Sequence, residues 1–217
     1  MVTPLVDAFD EPRLSHDGTL IAFRRQDQDL WIWDLEHSRE TRLTDADGGV
    51  YPAWTPEDTL VTFSSTSGLG LFSRPADRSG PTETILPAEF LGAPGSWTPD
   101  GQTLIYYAQD SEGDRDLWTL PVDGDPVPFL TTEFNEKAPR LSPNGRWVAY
   151  VSDQPGEERV FVKAFPEGGA EHPVSTGTGT EPVWSRDGTE LFYRNGNQMW
   201  VVEVETGSPC FGPDSLT

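Results

Sequence analysis

A seven-residue motif occurs five times along the 217-residue chain and limits the ways in which the chain can fold. Its third position is Leu or Trp, its fourth is Ser or Thr, and four copies end in glycine. The third positions are 40 to 44 residues apart, and a Phe or Tyr follows each of them nine residues later. The copies begin at Pro12, Pro52, Gly95, Pro139 and Pro182. Self-similarity at such a period indicates a repeat architecture.

Each repeat has the chemistry of four short strands. Asp-Gly or Asn-Gly pairs near the end of the motif favour tight turns, because these residues tolerate a positive φ. Alternating runs such as Leu20–Phe23 and Trp147–Tyr150 follow the turn and are typical of strands. A third run, such as Asp116–Leu120, and a shorter fourth, such as Thr41–Thr44, complete the repeat. Four strands in about 40 residues are the size of a propeller blade, whereas a solenoid would need polar capping repeats that are not visible.

We therefore predict an all-β, five-bladed β-propeller of four-stranded antiparallel blades in a single domain, 1–217. The last repeat lacks an evident fourth strand, because residues 208–213 are rich in Pro and Gly. Thr3–Val6 precedes the first motif as Arg42–Thr44 precedes the second, so an N-terminal strand over 3–6 is expected to close the last blade. The alternative is five blades of an incomplete six-bladed propeller. The repeats span 12–51, 52–94, 95–138, 139–181 and 182–207.

The repeats resemble those of TolB-like β-propeller proteins, whose consensus is close to Pro-x-Trp-Ser-Pro-Asp-Gly, then an apolar-aromatic strand and a Leu-Thr ending. Leu43-Thr44 and Leu130-Thr131 match that ending. The stretches 138–152, 160–166 and 181–194 are similar to propeller regions attached C-terminally to bacterial serine/threonine kinases. The resemblance covers residues 3 to 207 and implies a bacterial, non-enzymatic interaction or sensor module. TolB-type propellers have six blades, and because the family's motif residues are structural, no catalytic residue is carried over.

The charge balance excludes one class of partner. The chain has 36 acidic against 15 basic residues and a formal net charge of −21. Such a field repels phosphates, so sequence-independent binding of nucleic acid is not expected. The acid is interpreted mainly as solvated surface.

The chain also lacks the patterns of membrane and disulfide-bonded proteins. No window approaches 18 consecutive apolar residues, so no membrane insertion is expected. No signal peptide is visible, which leaves a chain that stays where it is made or one cut from a longer precursor. The single cysteine, Cys210, excludes an internal disulfide and a multi-cysteine metal site.

Candidate catalytic and metal-binding residues are few. His16, His37 and His172 fall in a turn, a loop and a strand start, at spacings that match no zinc site. Nucleophile-elbow, kinase, P-loop and dinucleotide motifs do not occur. Calcium is considered at two acidic segments, 45–49 and 110–116. The first lacks the later ligands of a calcium loop, and the second is interpreted first as a solvated hairpin. We therefore expect no enzyme activity, no catalytic residue, no cofactor and no metal.

Binding is expected where the loops of the blades converge at the mouth of the channel. The candidate rim segments are 45–51, 87–95, 132–138 and 176–181. Tyr51, Phe90 and Phe134 lie in these segments as candidate interaction anchors; the alternative is that they plug the channel or pack between blades. The predicted function is a non-catalytic scaffold for protein interaction or ligand sensing, with the protein partner or small ligand open. The alternative is a propeller that binds or hydrolyses a small molecule or carbohydrate at an acidic channel site.

Overall fold

The computed structural model describes residues 9–45, 48–67, 69–154 and 156–204. Every regular element in these ranges is a β-strand, as the sequence predicts. Within them no helix is long and apolar enough to cross a membrane. The chain forms two compact units, Met1–Gly101 and Gln102–Thr217.

The first unit contains a four-stranded antiparallel sheet, β1-β2-β3-β4, and four further antiparallel strands that pair in the order β5-β6-β7-β8. Leu30, Leu43 and Val61 are fully buried in its core. The strands are β1 Phe9–Leu14, β2 Leu20–Arg25, β3 Leu30–Asp34, β4 Arg39–Arg42, β5 Val50–Trp54, β6 Leu60–Ser64, β7 Leu69–Pro75 and β8 Glu83–Trp97.

The second unit holds three groups of consecutive antiparallel strands, β9-β10-β11, β12-β13-β14-β15 and β16-β17-β18. One apolar cluster lies between the first two groups and includes Ile105, Leu117 and Tyr150. A second lies between the last two groups and includes Val160 and Leu191. The strands are β9 Thr103–Gln109, β10 Arg115–Pro121, β11 Val127–Leu130, β12 Glu136–Leu141, β13 Trp147–Ser152, β14 Arg159–Ala164, β15 Glu171–Pro173, β16 Thr180–Trp184, β17 Glu190–Asn195 and β18 Gln198–Glu203.

The strand order within each repeat agrees with the sequence prediction, with two differences. The segment 87–95, predicted as a rim loop, lies inside the 15-residue strand β8. Among the described residues the fifth repeat has three strands, and both the predicted closing strand 3–6 and Cys210 fall outside those residues. The number of blades, ring closure and the single domain stay predictions.

The repeated motif forms the turn between the first and second strands of a repeat. In most copies the Ser or Thr hydroxyl donates a hydrogen bond to the turn Asp or Asn two residues later. The same hydroxyl accepts a hydrogen bond from a backbone N–H at the start of the second strand. In the fifth repeat the Thr189 N–H and the Ser185 and Thr189 hydroxyls hold the pKa of Asp187 down at about 2. The hydroxyl–carboxylate or hydroxyl–amide pairs are Ser15–Asp17 at 2.7 Å, Thr98–Asp100 at 2.6 Å, Ser142–Asn144 at 2.8 Å and Ser185–Asp187 at 2.7 Å.

Tryptophans in the motif join consecutive repeats. The Trp54 indole N–H donates to the Arg13 carbonyl of the preceding repeat at 2.9 Å, and Trp184 donates to the Arg140 carbonyl at 3.0 Å. Trp97 instead donates to the Thr62 hydroxyl at 3.0 Å. These hydrogen bonds fix the second, third and fifth repeats against the repeats before them.

A β-bulge interrupts the first strand of four repeats immediately before the motif proline. The strand register shifts there, and the bulged residue has a positive φ although it is not glycine. The left-handed conformation costs an L-residue about 1–2 kcal/mol. The four residues are Glu11 at 56°, Tyr51 at 56°, Ala138 at 52° and Glu181 at 54°.

Replacing Ala138 with glycine is expected to raise the free energy of unfolding by about 1 kcal/mol, because glycine adopts a positive φ without the Cβ clash. Chemical denaturation would measure the change. The control is Ala149→Gly, a fully buried alanine in β13 that is not among the positive-φ residues. That substitution should lower stability by about 1 kcal/mol. Equal effects of the two changes would contradict the assignment of strain to residue 138.

Candidate functional site

The three aromatic residues predicted as rim anchors lie in different structural settings. Tyr51 is 40% exposed and lies at the bulge of β5 rather than in a loop, and its backbone N–H donates to Glu11 Oε2 at 2.6 Å. Phe90 is half-buried within β8 rather than in a loop. Phe134 is half-buried in the connection between β11 and β12. Tyr51 and Phe90 belong to the first unit and Phe134 to the second, and their role as anchors stays a prediction.

The histidines do not form a joint site. His16 Nδ1 lies 2.8 Å from Asp58 Oδ1, and His37 Nδ1 lies 2.8 Å from Asp34 Oδ2. The hydrogen bond between the latter pair lowers the pKa of Asp34 and raises the pKa of His37. His172 is half-buried in β15 of the second unit.

The first unit contains a cleft of about 620 Å³ at the strand edge that carries these two ion pairs. Its lining includes three aspartates and the apolar side chains of Leu20 and Ile32. All three carboxylates accept hydrogen bonds within the unit: Asp34 from His37, Asp58 from the His16 and Asp17 amides, and Asp77 from the Ser79 amide. The cleft therefore offers no carboxylate that lacks a partner.

In each of the two acidic segments considered for calcium, the first aspartate accepts hydrogen bonds from other groups of the protein. Asp45 accepts hydrogen bonds from Arg74 and Arg78, while residues 46–47 lie outside the described part of the chain. Asp110 Oδ1 accepts three consecutive backbone N–H groups, from residues 112, 113 and 114, at 2.8–3.0 Å. No cluster of three or more His, Cys, Asp or Glu side chains suited to a metal occurs in the ranges that the structure describes. Calcium binding at either segment stays a hypothesis.

Two neighbouring carboxyl groups, the buried Glu136 and the half-buried Asp116, are the feature that sequence reasoning missed. Glu136 is 2% exposed, and its Oε1 accepts hydrogen bonds from Thr132 Oγ1 at 2.8 Å and Ser152 Oγ at 3.1 Å. Its Oε2 is buried without a hydrogen-bond partner, as is Oδ1 of Asp116. The pair lies in the second unit, where the connection between β11 and β12 passes the start of β10.

Burial changes the acidity of both groups. Burial raises the pKa of Glu136 to about 7; the Thr132 and Ser152 hydroxyls oppose this, and the charge of Asp116 adds to it. Burial also raises the pKa of Asp116, against the effect of the Thr132 backbone N–H. The hydroxyl of fully buried Tyr150 has a raised pKa, caused first by burial and then by the charges of Glu171 and Glu136.

Aligning the repeats would have exposed Glu136. The residue three positions before the motif is glycine in three other repeats, at Gly49, Gly92 and Gly179. A Cβ atom at Gly49 would lie 2.9 Å from the Leu30 side chain, and one at Gly179 would lie 2.7 Å from Ser175 Oγ. Strand β12 therefore places a carboxylate at a position where Gly49 and Gly179 leave no room for a Cβ atom.

Acids in three neighbouring loops lie at the same edge as the two carboxyl groups. The loops 110–114, 131–135 and 153–158 leave the same edge of the second-unit strands, and we call them the acidic edge. They contain seven Asp and Glu residues and no Lys or Arg. The opposite edge, formed by loops 122–126, 142–146, 165–170 and 185–189, contains four acids and two arginines. Negative charge is therefore concentrated on the edge that covers Glu136.

No family profile matches the chain. Among curated proteins it is 27% identical over 155 residues to an uncharacterized protein of Agrobacterium fabrum, covering 64% of this chain and 52% of that protein. It is 28% identical over 104 residues to an uncharacterized peptidase of Bacillus subtilis, covering 44% of this chain and 16% of the peptidase. The chain spans about half or less of the length of these relatives.

Solved structures identify the fold. A putative TolB from Agrobacterium tumefaciens matches 94% of this chain and 78% of its own, with a TM-score of 0.78 and 17% identity. TolB from Acinetobacter baumannii matches 93% of this chain and 50% of its own, with a TM-score of 0.66 and 17% identity. An oligogalacturonate lyase from Vibrio parahaemolyticus matches 93% of this chain and 64% of its own, with a TM-score of 0.67 and 12% identity.

The chain thus has a β-propeller fold. More specifically the fold is TolB-like, as the repeat motif indicates. Because the neighbours include both TolB proteins and enzymes, the fold defines a propeller scaffold without fixing its activity. The likeness to kinase-attached propellers stays a prediction.

Proposed function

We propose that the protein is a non-catalytic scaffold that binds a positively charged protein partner at the acidic edge. The observation that carries the proposal is the segregation of charge on the second unit, with seven acids and no basic residue within the three loops of one edge. Two of these acids, Glu157 and Glu158, form ion pairs with Arg159 and Lys137 in the adjoining strands, which leaves five for a partner. Complementary charge accelerates association and selects partners of opposite sign. Phe134, in the middle loop of this edge, is the apolar group that would anchor the contact.

A hydrolytic or lyase function is the alternative, and one observation favours it. Glu136 has a pKa of about 7, the value expected of a carboxyl that exchanges protons with a substrate. Its Oε2 atom, however, is closed to solvent, so a saccharide cannot come within hydrogen-bond distance of it. Burial therefore favours binding over catalysis, and turnover of a polysaccharide panel by the wild type but not by Glu136→Gln would reverse this conclusion.

Binding is expected to require the exposed carboxylates of the acidic edge. The triple variant Glu112→Gln, Glu133→Gln, Glu157→Gln neutralises one exposed acid in each loop. We expect at least about tenfold weaker capture of a basic partner from lysate, because three charge contacts are lost, and weaker capture by the wild type at high salt. Quantitative affinity capture with mass spectrometry would measure the effect.

The matched control is Asp123→Asn, Asp125→Asn, Glu167→Gln, which removes three exposed charges from the opposite edge. It should leave capture within about twofold of the wild type, since distant charges are screened. Equal losses in the two triple variants would mean that net charge alone matters. No loss in either would refute the acidic edge as the binding surface.

A further inference from the structure

The first repeat shows how this scaffold normally neutralises a buried aspartate. Asp29, which precedes a Leu-Trp pair, is 4% exposed. One of its oxygens accepts the Thr44 hydroxyl at 2.9 Å, and the other forms a close ion pair with Arg42. Both oxygens therefore have partners, and the carboxylate charge is balanced within the repeat.

The third repeat keeps the aspartate and loses its counter-ion. Asp116 also precedes a Leu-Trp pair, but Phe129 takes the place of Arg42, one residue before the Leu-Thr ending. The Phe129 ring packs 5.4 Å from the Phe165 ring and supplies no charge. Oδ1 of Asp116 is consequently buried and unpartnered.

The next strand, β12, then adds a second acid, Glu136. Thr132 joins the two groups: its hydroxyl donates to Glu136, and its backbone N–H binds the Asp116 carboxyl. Two carboxyl groups thus share one small residue, and each retains one buried oxygen without a partner.

No described basic group compensates the pair. Lys137, the next residue in β12, forms a close ion pair with Glu158. On β13, Tyr150 is buried and uncharged at neutral pH, and Asp153 beyond it binds Asn135. The other charged groups on neighbouring strands are Arg115 on β10 and three residues that form ion pairs of their own. Arg159 on β14 pairs with Glu157, Glu171 on β15 pairs with Lys163, and Glu181 on β16 pairs with Arg194.

We propose that Glu136 is a proton-binding site, in which the buried and unpartnered Oε2 takes up one proton from solvent while the neighbouring Asp116 stays ionised. Protonation replaces the buried Glu136 charge by a neutral carboxyl and leaves the two groups with one negative charge rather than two. The site fastens the 131–135 loop to β10, beneath the acidic edge. The raised pKa of Glu136 agrees with this arrangement. A role for this proton in controlling partner binding rests on the proposed function. The proton site itself does not depend on partner binding.

Glu136→Gln tests the site, because the amide carries a permanent N–H where the carboxyl needs a proton. At about pH 8 this variant should fold with an equilibrium constant on the order of a hundredfold above that of the wild type, since its buried group no longer ionises. The advantage should disappear at about pH 4 to 5. Asp116→Asn should move the pH transition of Glu136 towards lower pH, because the neighbouring charge is replaced by an N–H donor. Glu133→Gln, an exposed acid in the same loop, should change neither quantity.

Infrared difference spectroscopy detects the protonated carboxyl directly in the wild-type protein, so the measurement does not depend on whether a variant folds. The C=O stretching band of a protonated carboxyl should persist up to a half-loss near pH 7 and be absent from Glu136→Gln. Absence of that band above pH 5, or equal pH dependence in wild type and Glu136→Gln, would overturn the proposal. So would a Ca²⁺- or Na⁺-dependent rise in the wild-type melting temperature that Glu136→Gln abolishes, since the site would then hold a metal ion. Loss of capture by the acidic-edge triple variant tests the proposed function separately and leaves these readouts unchanged.

Discussion

Replacing Trp54 with alanine is expected to lower the free energy of unfolding of the first unit by about 3–5 kcal/mol. The side chain is 4% exposed and packs in the same apolar cluster as Leu30 and Phe63. Its indole N–H also binds the Arg13 carbonyl of the preceding repeat. The variant therefore loses apolar burial and leaves a carbonyl without its partner. Urea denaturation followed by circular dichroism would measure the change.

Two comparisons separate these contributions. Trp54→Phe keeps an aromatic ring but no N–H and should cost about 1–2 kcal/mol. Leu14→Ala alters the same motif position in the first repeat, where the side chain is 59% exposed. It should change stability by less than about 1 kcal/mol. A loss at Leu14 as large as that at Trp54 would show that the indole contact is not what joins the first two repeats.

Raising the pH from about 4.5 to about 7 is expected to remove about 3 kcal/mol of the stability of the second unit, through Glu136 alone. Its folded-state pKa of about 7 lies above the ordinary value of 4.5, so the folded state binds the proton more tightly than the unfolded state. The contribution is fully present below the unfolded pKa and is lost as the pH rises through the folded pKa. Denaturant titrations at a series of pH values would measure it.

The net charge complicates the raw profile, because the many other carboxylates also repel one another as they ionise. The difference between wild type and Glu136→Gln at each pH cancels that background, since both share those other carboxylates. A difference that is constant from pH 4 to pH 8 would contradict a raised pKa at Glu136.

Local chemistry made most of the fold predictable. A Ser or Thr hydroxyl, a turn-forming Asp or Asn and a glycine lie within five residues, so the hairpin is encoded by neighbours in sequence. The strand pairs follow from that turn, and the structure forms them as expected. Repetition then strengthened each interpretation, because weak signals recur at one period.

Features that depend on distant residues were not predictable in the same way. Residues 87–95 contain two prolines and two glycines, a composition typical of loops. They nevertheless form strand, because β8 extends its pairing with β7 through two irregularities of register, as far as Leu91 opposite Leu69. The bulges with positive φ at Tyr51 and Ala138 likewise carry no glycine to mark them.

The candidate site illustrates the same division. Glu136 looks unremarkable in its own segment, Asn-Glu-Lys. Its importance depends on Thr132, Ser152 and Asp116, of which the last lies 20 residues earlier on strand β10. Only comparison between repeats, with glycine at Gly49 and Gly179, marks the position as unusual.

The indole hydrogen bonds give the array of repeats a polarity. Trp54 and Trp184 each reach backwards to a carbonyl of the preceding repeat, so one face of a repeat donates and the other accepts. The first repeat carries Leu14 at the donating position, and that leucine remains 59% exposed, whereas its counterpart Leu141 in the fourth repeat is buried. The donating face of the first repeat therefore carries an exposed apolar side chain in place of an indole N–H, so this face differs in chemistry from the corresponding faces of the second and fifth repeats.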